Sequence, residues 1–236
     1  MSLKNCPKLQ SLPKLPACAI VNAVGCPSLE SLPLELDQLG RWVDYSECNK
    51  LAENNFLTSL LKQLPKSKGL SKLQHVVNIV VPAGDEEVRI WFPYYDARDP
   101  NVSFVVPPSP FVKQKLLGCI LRVLLRAPKE APFGFHYFFI DDVICNKIKK
   151  GVYVFPFDVN PSDVDHVWLL YIPQGYRGLQ LQGSDEVEIP IDAYPRTLVK
   201  NWAIDLVYEA DEIHKATDTL YQVVFNFDKY SSTTGF

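Results

Sequence analysis

"NCPKLQSLP" (Asn5–Pro13) and "GCPSLESLP" (Gly25–Pro33) agree at six of nine positions and stand twenty residues apart. Around the second copy, Cys18, Val21, Ala23, Cys26, Leu29 and Leu32 recur at spacings of two and three. That spacing suits a short strand followed by a tight return, with all six side chains pointing into one narrow core.

Residues 1–36 therefore read as leucine-rich repeat, at the short end of that class's period. Two units cannot bury a continuous core, since about three are needed. The chain also opens inside a unit, without a polar cap. The expectation is the C-terminal stump of a longer solenoid, which the remainder of the chain must close.

The next segment, "SECNKLAENNFLTSLLKQL" (46–64), carries Cys48, Ala52, Phe56, Leu60 and Leu64 four apart, with Leu57 and Leu61 beside them. Such a row predicts one amphipathic helix, stopped by Pro65, that caps the repeat core. From His75 onward, short β-branched and aromatic runs are separated by Pro, Gly, Asn and Asp. Strands are expected at His75–Val81, Val88–Phe92, Val102–Val106, Leu117–Arg126, Phe133–Ile140 and Val152–Phe157. Further strands are expected at His166–Ile172, Gly178–Gln182, Val187–Ile191, Asn201–Tyr208 and Leu220–Phe227. With no convincing helix between them, they predict a mainly β fold: antiparallel sheets packed as a sandwich, preceded by repeats and a capping helix. In "NWAIDLVYE", Trp202, Ile204, Leu206 and Tyr208 alternate with Asn201, Ala203, Asp205 and Val207, predicting one buried and one mostly solvated face. The expected division is repeats at 1–40, helix and linker at 41–70, sandwich at 71–213, and a terminal strand and tail at 214–236.

Bulk composition narrows function. The 236 residues are 47% apolar and 22% charged with a net charge of −3, which is a globular and not a disordered balance. No long basic run favours nucleic acid, and the lysines at 62, 66, 68 and 72 have no interleaved aromatics. No apolar run reaches the ~18 residues of a membrane span, and no secretion signal is visible at the N-terminus. Six cysteines without a C-x-x-C pair read as free thiols in a reducing compartment, with Cys6, Cys18 and Cys26 at apolar repeat positions.

Catalytic signatures are weak throughout. The histidines at 75, 136, 166 and 214 form no H-x-H or H-x-x-x-H pair, so no metal is expected. Asp158, Asp163 and Asp165 are the best calcium candidates, but they lack the glycine and dense acidic spacing of strong loops. No nucleophile elbow, phosphate loop or dinucleotide fingerprint occurs, and neither an enzyme nor a cofactor is expected. Three predicted loops remain as binding surface: Phe92–Asn101, Arg126–Gly134 and Ile172–Gly178. They supply the candidate contact residues Tyr94, Tyr95, Arg98, Asp99, Lys129, Phe133, Tyr176 and Arg177. Tyrosine and arginine dominate interface hot spots, and sandwich folds place recognition in their end loops. A structural cap and a carbohydrate-binding or hydrolytic jelly roll are the rival readings.

Taken in order, these segments resemble the C-terminal end of plant intracellular immune receptors of the TIR, nucleotide-binding and leucine-rich-repeat class. The repeats match that family's "C-x-x-L-x-x-LP" turns, and "YSECNKLAEN" is similar to its "F-x-N-C-x-K-L" segment, with Glu47 departing. "VPAGDEEVRIWF" resembles the "PG-x-x-I-P-x-WF" opening of the post-repeat domain, with Ala83 inserted and the internal proline missing. "LLGCILRVLL", "DHVWLLYIP" and "VKNWAIDLVYEAD" are similar to three later family strands, with Trp202-Ala203 where Cys-Gly is usual. The resemblance implies a post-repeat jelly-roll/Ig-like domain (C-JID) that binds a pathogen effector together with the repeats. It also implies intramolecular contact with the repeats and the nucleotide-binding domain of the full receptor. On activation, such receptors form tetramers whose distant TIR domains cleave NAD. None of those catalytic parts lies in this chain, and a cytoplasmic or nucleo-cytoplasmic location is implied.

Overall fold

The Cys-containing turn is built three times. Asn5, Gly25 and Glu47 each adopt a left-handed backbone, with φ of 54°, 69° and 64°. Each precedes a cysteine, and the cysteine carbonyl then accepts the N–H of the leucine three residues on: Leu9, Leu29 and Leu51, at 3.2, 3.1 and 3.0 Å. The turns hang on one another, Asn5 N–H donating to Val24 and Gly25 N–H donating to Ser46, both at 2.9 Å. Residues 46–48 therefore close a third repeat turn and do not begin a helix.

In the computed structural model, residues 1–64, 67, 69–84, 94–96, 101–108, 115–126, 137–152, 154–158, 164–194 and 198–209 are described. They form strands β1 (Ile20–Asn22) and β2 (Trp42–Asp44), then helices α1 (Asn49–Glu53) and α2 (Phe56–Gln63). Next come β3 (Val77–Pro82), β4 (Tyr94–Asp96), β5 (Asn101–Val105), β6 (Leu116–Arg126), β7 (Tyr137–Ile140), β8 (Ile144–Cys145) and β9 (Ile148–Lys149). The order ends with β10 (Val154–Asp158), β11 (His166–Pro173), β12 (Glu186–Pro190), β13 (Asp192–Tyr194) and β14 (Leu198–Tyr208).

The expected capping helix is two helices. Asn55 sits left-handed at φ 52° and breaks the run between α1 and α2. Asparagine tolerates that conformation better than most residues, so the row of apolar positions survives while the axis does not. Phe56, Leu57, Leu60 and Leu61 are still buried together.

One sheet joins the repeats to the sandwich. Its order is β1-β2-β3-β11-β6-β14-β4. The first three strands are parallel and the rest antiparallel, so the strands from Val77 onward pair with one another antiparallel, as expected, while β3 also takes a parallel neighbour in β2. A single row crosses all seven strands in register: Val21, Val43, Ile79, Leu169, Arg122, Ala203, Tyr95. Two smaller sheets, β10-β7-β13 and β5-β12-β8-β9, form the second layer.

Both faces of the large sheet are covered at its centre, which is why β3 and β11 are buried at every position. Trp168, Leu170, Ile172, Leu121, Val123, Trp202 and Ile204 face Phe138, Ile140, Val102, Val187 and Ile189 of the small sheets. Val77, Ile79, Val167, Leu169 and Tyr171 belong to the opposite core, shared with Leu29, Leu51, Leu57 and Leu60 of the repeat turns and helices. In β14, Ala203 and Val207 join this second core, so the face expected to be mostly solvated is largely covered. One polar pair is sealed between the layers, the Trp168 indole N–H donating to Asn78 Oδ1 at 2.5 Å.

Other expectations shift. Gly178–Gln182 is not a strand: Leu179 and Leu181 are buried, but the Gln174 side chain bonds the backbone of Leu181. Cys18 is exposed and Cys6 half-buried, whereas Cys26 and Cys48 are buried. The strands expected at Val88–Phe92 and Leu220–Phe227 lie outside the described residues, as does the tail.

Candidate recognition surface

The described candidates lie on separate elements. Tyr94 and Tyr95 lie on β4, an edge strand antiparallel to Trp202–Ile204 of β14, and not in a loop. Arg98, Asp99, Lys129 and Phe133 lie outside the described residues. Leu198, at the start of β14, pairs with Arg126 at the end of β6, and Asp96 pairs with Trp202. Tyr176 and Arg177 follow the far end of β11, where Pro173 pairs with Gly118. From His166 to Pro173 a strand spans roughly 23 Å at ~3.3 Å per residue. Of the described candidates, Tyr94 and Tyr95 therefore lie level with Leu170 and Leu169, midway along β11, and Tyr176 and Arg177 follow its Pro173 end.

The rim at the His166 end of β11 is organised by Asp165. Its carboxylate accepts Arg126 Nε at 2.5 Å and Lys200 Nζ at 2.7 Å, tying the end of β6 to the start of β14. Burial pushes the carboxyl up, but the bonds from Lys200 and Arg126 outweigh it and hold it below the ordinary aspartate range. With both oxygens engaged by cations, Asp165 is a poor calcium ligand. Asp163 and the side chain of Asp158 lie outside the described residues. Among the described residues no three His, Cys, Asp or Glu side chains gather as a metal site needs. His166, next in sequence, is buried; burial lowers its pKa against the pull of Glu47 and Asp165, favouring the neutral ring.

The opposite rim is tightly bonded. Gln174 pairs through its side-chain amide with the backbone of Leu181, and the Arg177 guanidinium donates to the carbonyl of Gly151 at 3.3 Å. Asn146, in the β8–β9 hairpin, donates to Asp185 at 2.7 Å and accepts the N–H of Glu186 at 2.9 Å. Tyr176 is half-buried against the sandwich core, and Arg177 is exposed.

Sequence reasoning missed the β8–β9 hairpin beside Arg177. Its tip residues Asn146 and Lys147 are both left-handed, the backbone of a two-residue hairpin, but the usual Asn-Gly signal is absent. No helix among the described residues is long and apolar enough to cross a membrane. No family model matches the chain, and no curated protein resembles it significantly.

Proposed function

We propose that the chain is a non-catalytic, effector-recognition module of an intracellular plant immune receptor. In this reading the N-terminal turns are terminal leucine-rich repeats, and the sandwich is the post-repeat jelly-roll/Ig-like domain. The observation that carries it is the shared sheet. β2 passes its parallel register directly to β3, so the sandwich prolongs the repeat surface in place of merely following it. A surface made from both parts could supply the roughly 1,200–2,000 Å² of a stable protein contact. Binding would act at a distance, through assembly of the full receptor into tetramers, with NAD cleavage by TIR domains elsewhere. A cytoplasmic setting agrees with the unpaired cysteines.

Hydrogen exchange on a complete receptor carrying this chain, with and without its cognate effector, tests the reading. Protection at either rim of the sandwich supports it. Protection confined to repeats preceding residue 1 overturns it. A combined Tyr94→Ala, Tyr95→Ala and Arg98→Ala variant separates β4 and its following segment from the rim that carries Tyr176 and Arg177.

A second reading is favoured by the core between the repeats and the large sheet, which α1, α2 and β3 complete. There the module is a structural cap and intramolecular lock. It predicts that the sandwich is required for folding and restraint of the receptor while the effector leaves its amides unprotected.

A further inference from the structure

Three cysteines stand in one column at matching points of the stacked turns. The Ser2–Asn22 and Ser11–Ser31 bridges fix the first two turns in parallel register with an offset of twenty, which sets Cys6 beside Cys26. The Val21–Val43 and Asn22–Asp44 pairs fix the next turn with an offset of twenty-two, which sets Cys26 beside Cys48. Neighbouring strands run roughly 4.7–4.9 Å apart, and a disulfide spans Cα atoms roughly 4.4–6.8 Å apart. Both steps of the column therefore have disulfide spacing.

The thiols also lean along the column. Cys48 Sγ is in hydrogen-bonding contact with both the backbone and the side chain of Cys26, while donating to the carbonyl of Ala23 at 3.1 Å. Cys26 repeats that placement one turn earlier, donating to Leu3 at 3.1 Å. In each case the acceptor lies three residues before the neighbouring cysteine, so the Cys26 thiol reaches toward Cys6 as the Cys48 thiol reaches toward Cys26. Cys6 differs in its access. Its thiol turns to its own turn, to the carbonyl of Lys4 at 3.8 Å, and it is half-buried where Cys26 and Cys48 are sealed. A dissolved oxidant reaches Cys6 first. Cys18 is exposed, but it precedes β1 and stands outside the column.

We infer that Cys6 and Cys26 form a redox pair, closed by a peroxide into a disulfide that staples the first repeat turn to the second. Hydrogen peroxide oxidises the Cys6 thiol to a sulfenic acid and is itself reduced to water. The Cys26 sulfur then attacks the Cys6 sulfur, the S–O bond breaks, and the departing hydroxyl leaves as a second water with the Cys26 proton. A small thiol reverses the closure by exchange. The inference goes beyond the recognition reading and does not depend on it.

The test is hydrogen peroxide treatment of the whole native chain carrying Cys18→Ser. Remaining thiols are then alkylated, and the chain is digested with trypsin without reductant for mass spectrometry. The peptide Asn5–Lys8 should appear joined to Leu15–Arg41, which in this variant holds Cys26 as its single cysteine. The chain should lose two hydrogens, regain them with dithiothreitol, and melt about 5 °C higher when oxidised. Adding Cys6→Ser, which leaves the sealed thiols in place, should abolish the crosslink and the rise in midpoint. Adding Cys26→Ser instead should stop the reaction at the Cys6 sulfenic acid, trapped by dimedone. A crosslink that forms only in urea, or Cys6 oxidised onward to the sulfonic acid while Cys26 stays reduced, overturns the pair. A crosslink that leaves the midpoint unchanged overturns the staple.

Discussion

Cys48 donates its thiol hydrogen to the carbonyl oxygen of Ala23 at 3.1 Å, and one turn earlier Cys26 does the same to Leu3 at 3.1 Å. Each thiol ties its turn to the one before it, using a carbonyl that the strand ladder leaves available. Cysteine suits the position because it is small and apolar yet still a weak donor. Burial pushes the Cys48 thiol up to about 12, so it is neither nucleophilic nor easily oxidised. Cys119, sealed in the sandwich core, is likewise pushed up to about 12. Brief iodoacetamide treatment of the native chain should label Cys18 and, more slowly, Cys6. Cys26, Cys48 and Cys119 should be labelled only after unfolding, as peptide mass spectrometry will report. Native labelling of Cys48 at the rate of Cys18 would contradict the stacked turns.

Glu47 occupies the left-handed position that Asn5 and Gly25 hold in the earlier turns. A residue with a Cβ and no short polar arm is disfavoured there by about 1–2 kcal/mol. Glu47→Gly or Glu47→Asn should therefore raise stability by about 1 kcal/mol in a urea titration, with an unchanged m-value. A lower midpoint would show that the Glu47 carboxylate holds the turn despite its backbone.

How far the fold was legible follows from such positions. β3, β6 and β11 were visible because Val, Ile and Leu dominate where both faces are buried. The third turn was hidden because Glu47 and Asn49 replace the Gly and Pro of Gly25 and Pro27, and because twenty-two residues separate Cys26 from Cys48. Once it is seen, "ECNKL" aligns with "NCPKL" and "GCPSL". The parallel handover to β3 has no local signal, since β2 is three residues long and gives no period to count. Leu179 and Leu181 alternate like a strand, but the Gln174 side chain, not a neighbouring strand, takes the backbone of Leu181. Of the site, the exposure of Arg177 was legible. The placement of Tyr94 and Tyr95 on a strand beside β14 was not, because it depends on which strands pair.

The Asp165 clamp should matter most near neutrality. Its folded pKa is depressed, so its contribution is fully present above the unfolded value of about 3.9 and is lost as pH falls through the lower folded value. Both bonds are partly exposed, which reduces their worth. Asp165→Asn should cost about 1–2 kcal/mol at pH 7 and progressively less as the pH is lowered below 4, measured by urea unfolding at each pH. An equal loss at pH 7 and pH 2.5 would assign the effect to packing, not to charge.

Asp205 should act with the opposite sign. It lies on β14 between Ile204 and Leu206, on the face that Ala203 and Val207 bury. Burial pushes its carboxyl up to about 6, offset only in part by the Leu206 N–H at 2.7 Å. The folded chain thus holds a proton that the unfolded chain releases near pH 3.9. Its contribution is present below about pH 4 and is lost as pH rises through about 6, where a charged carboxylate must stay under cover. Asp205→Asn keeps the shape and removes that charge. The variant should exceed the parent by on the order of 1–2 kcal/mol at pH 7.5 and match it at pH 4, in paired calorimetric scans. Because Asp165 loses stability in acid and Asp205 loses it as pH rises from about 4 to about 6, the double variant should have a flatter pH profile than the parent. A gain from Asp205→Asn that persists undiminished at pH 4 would mean that the carboxylate is not charged under cover at neutral pH.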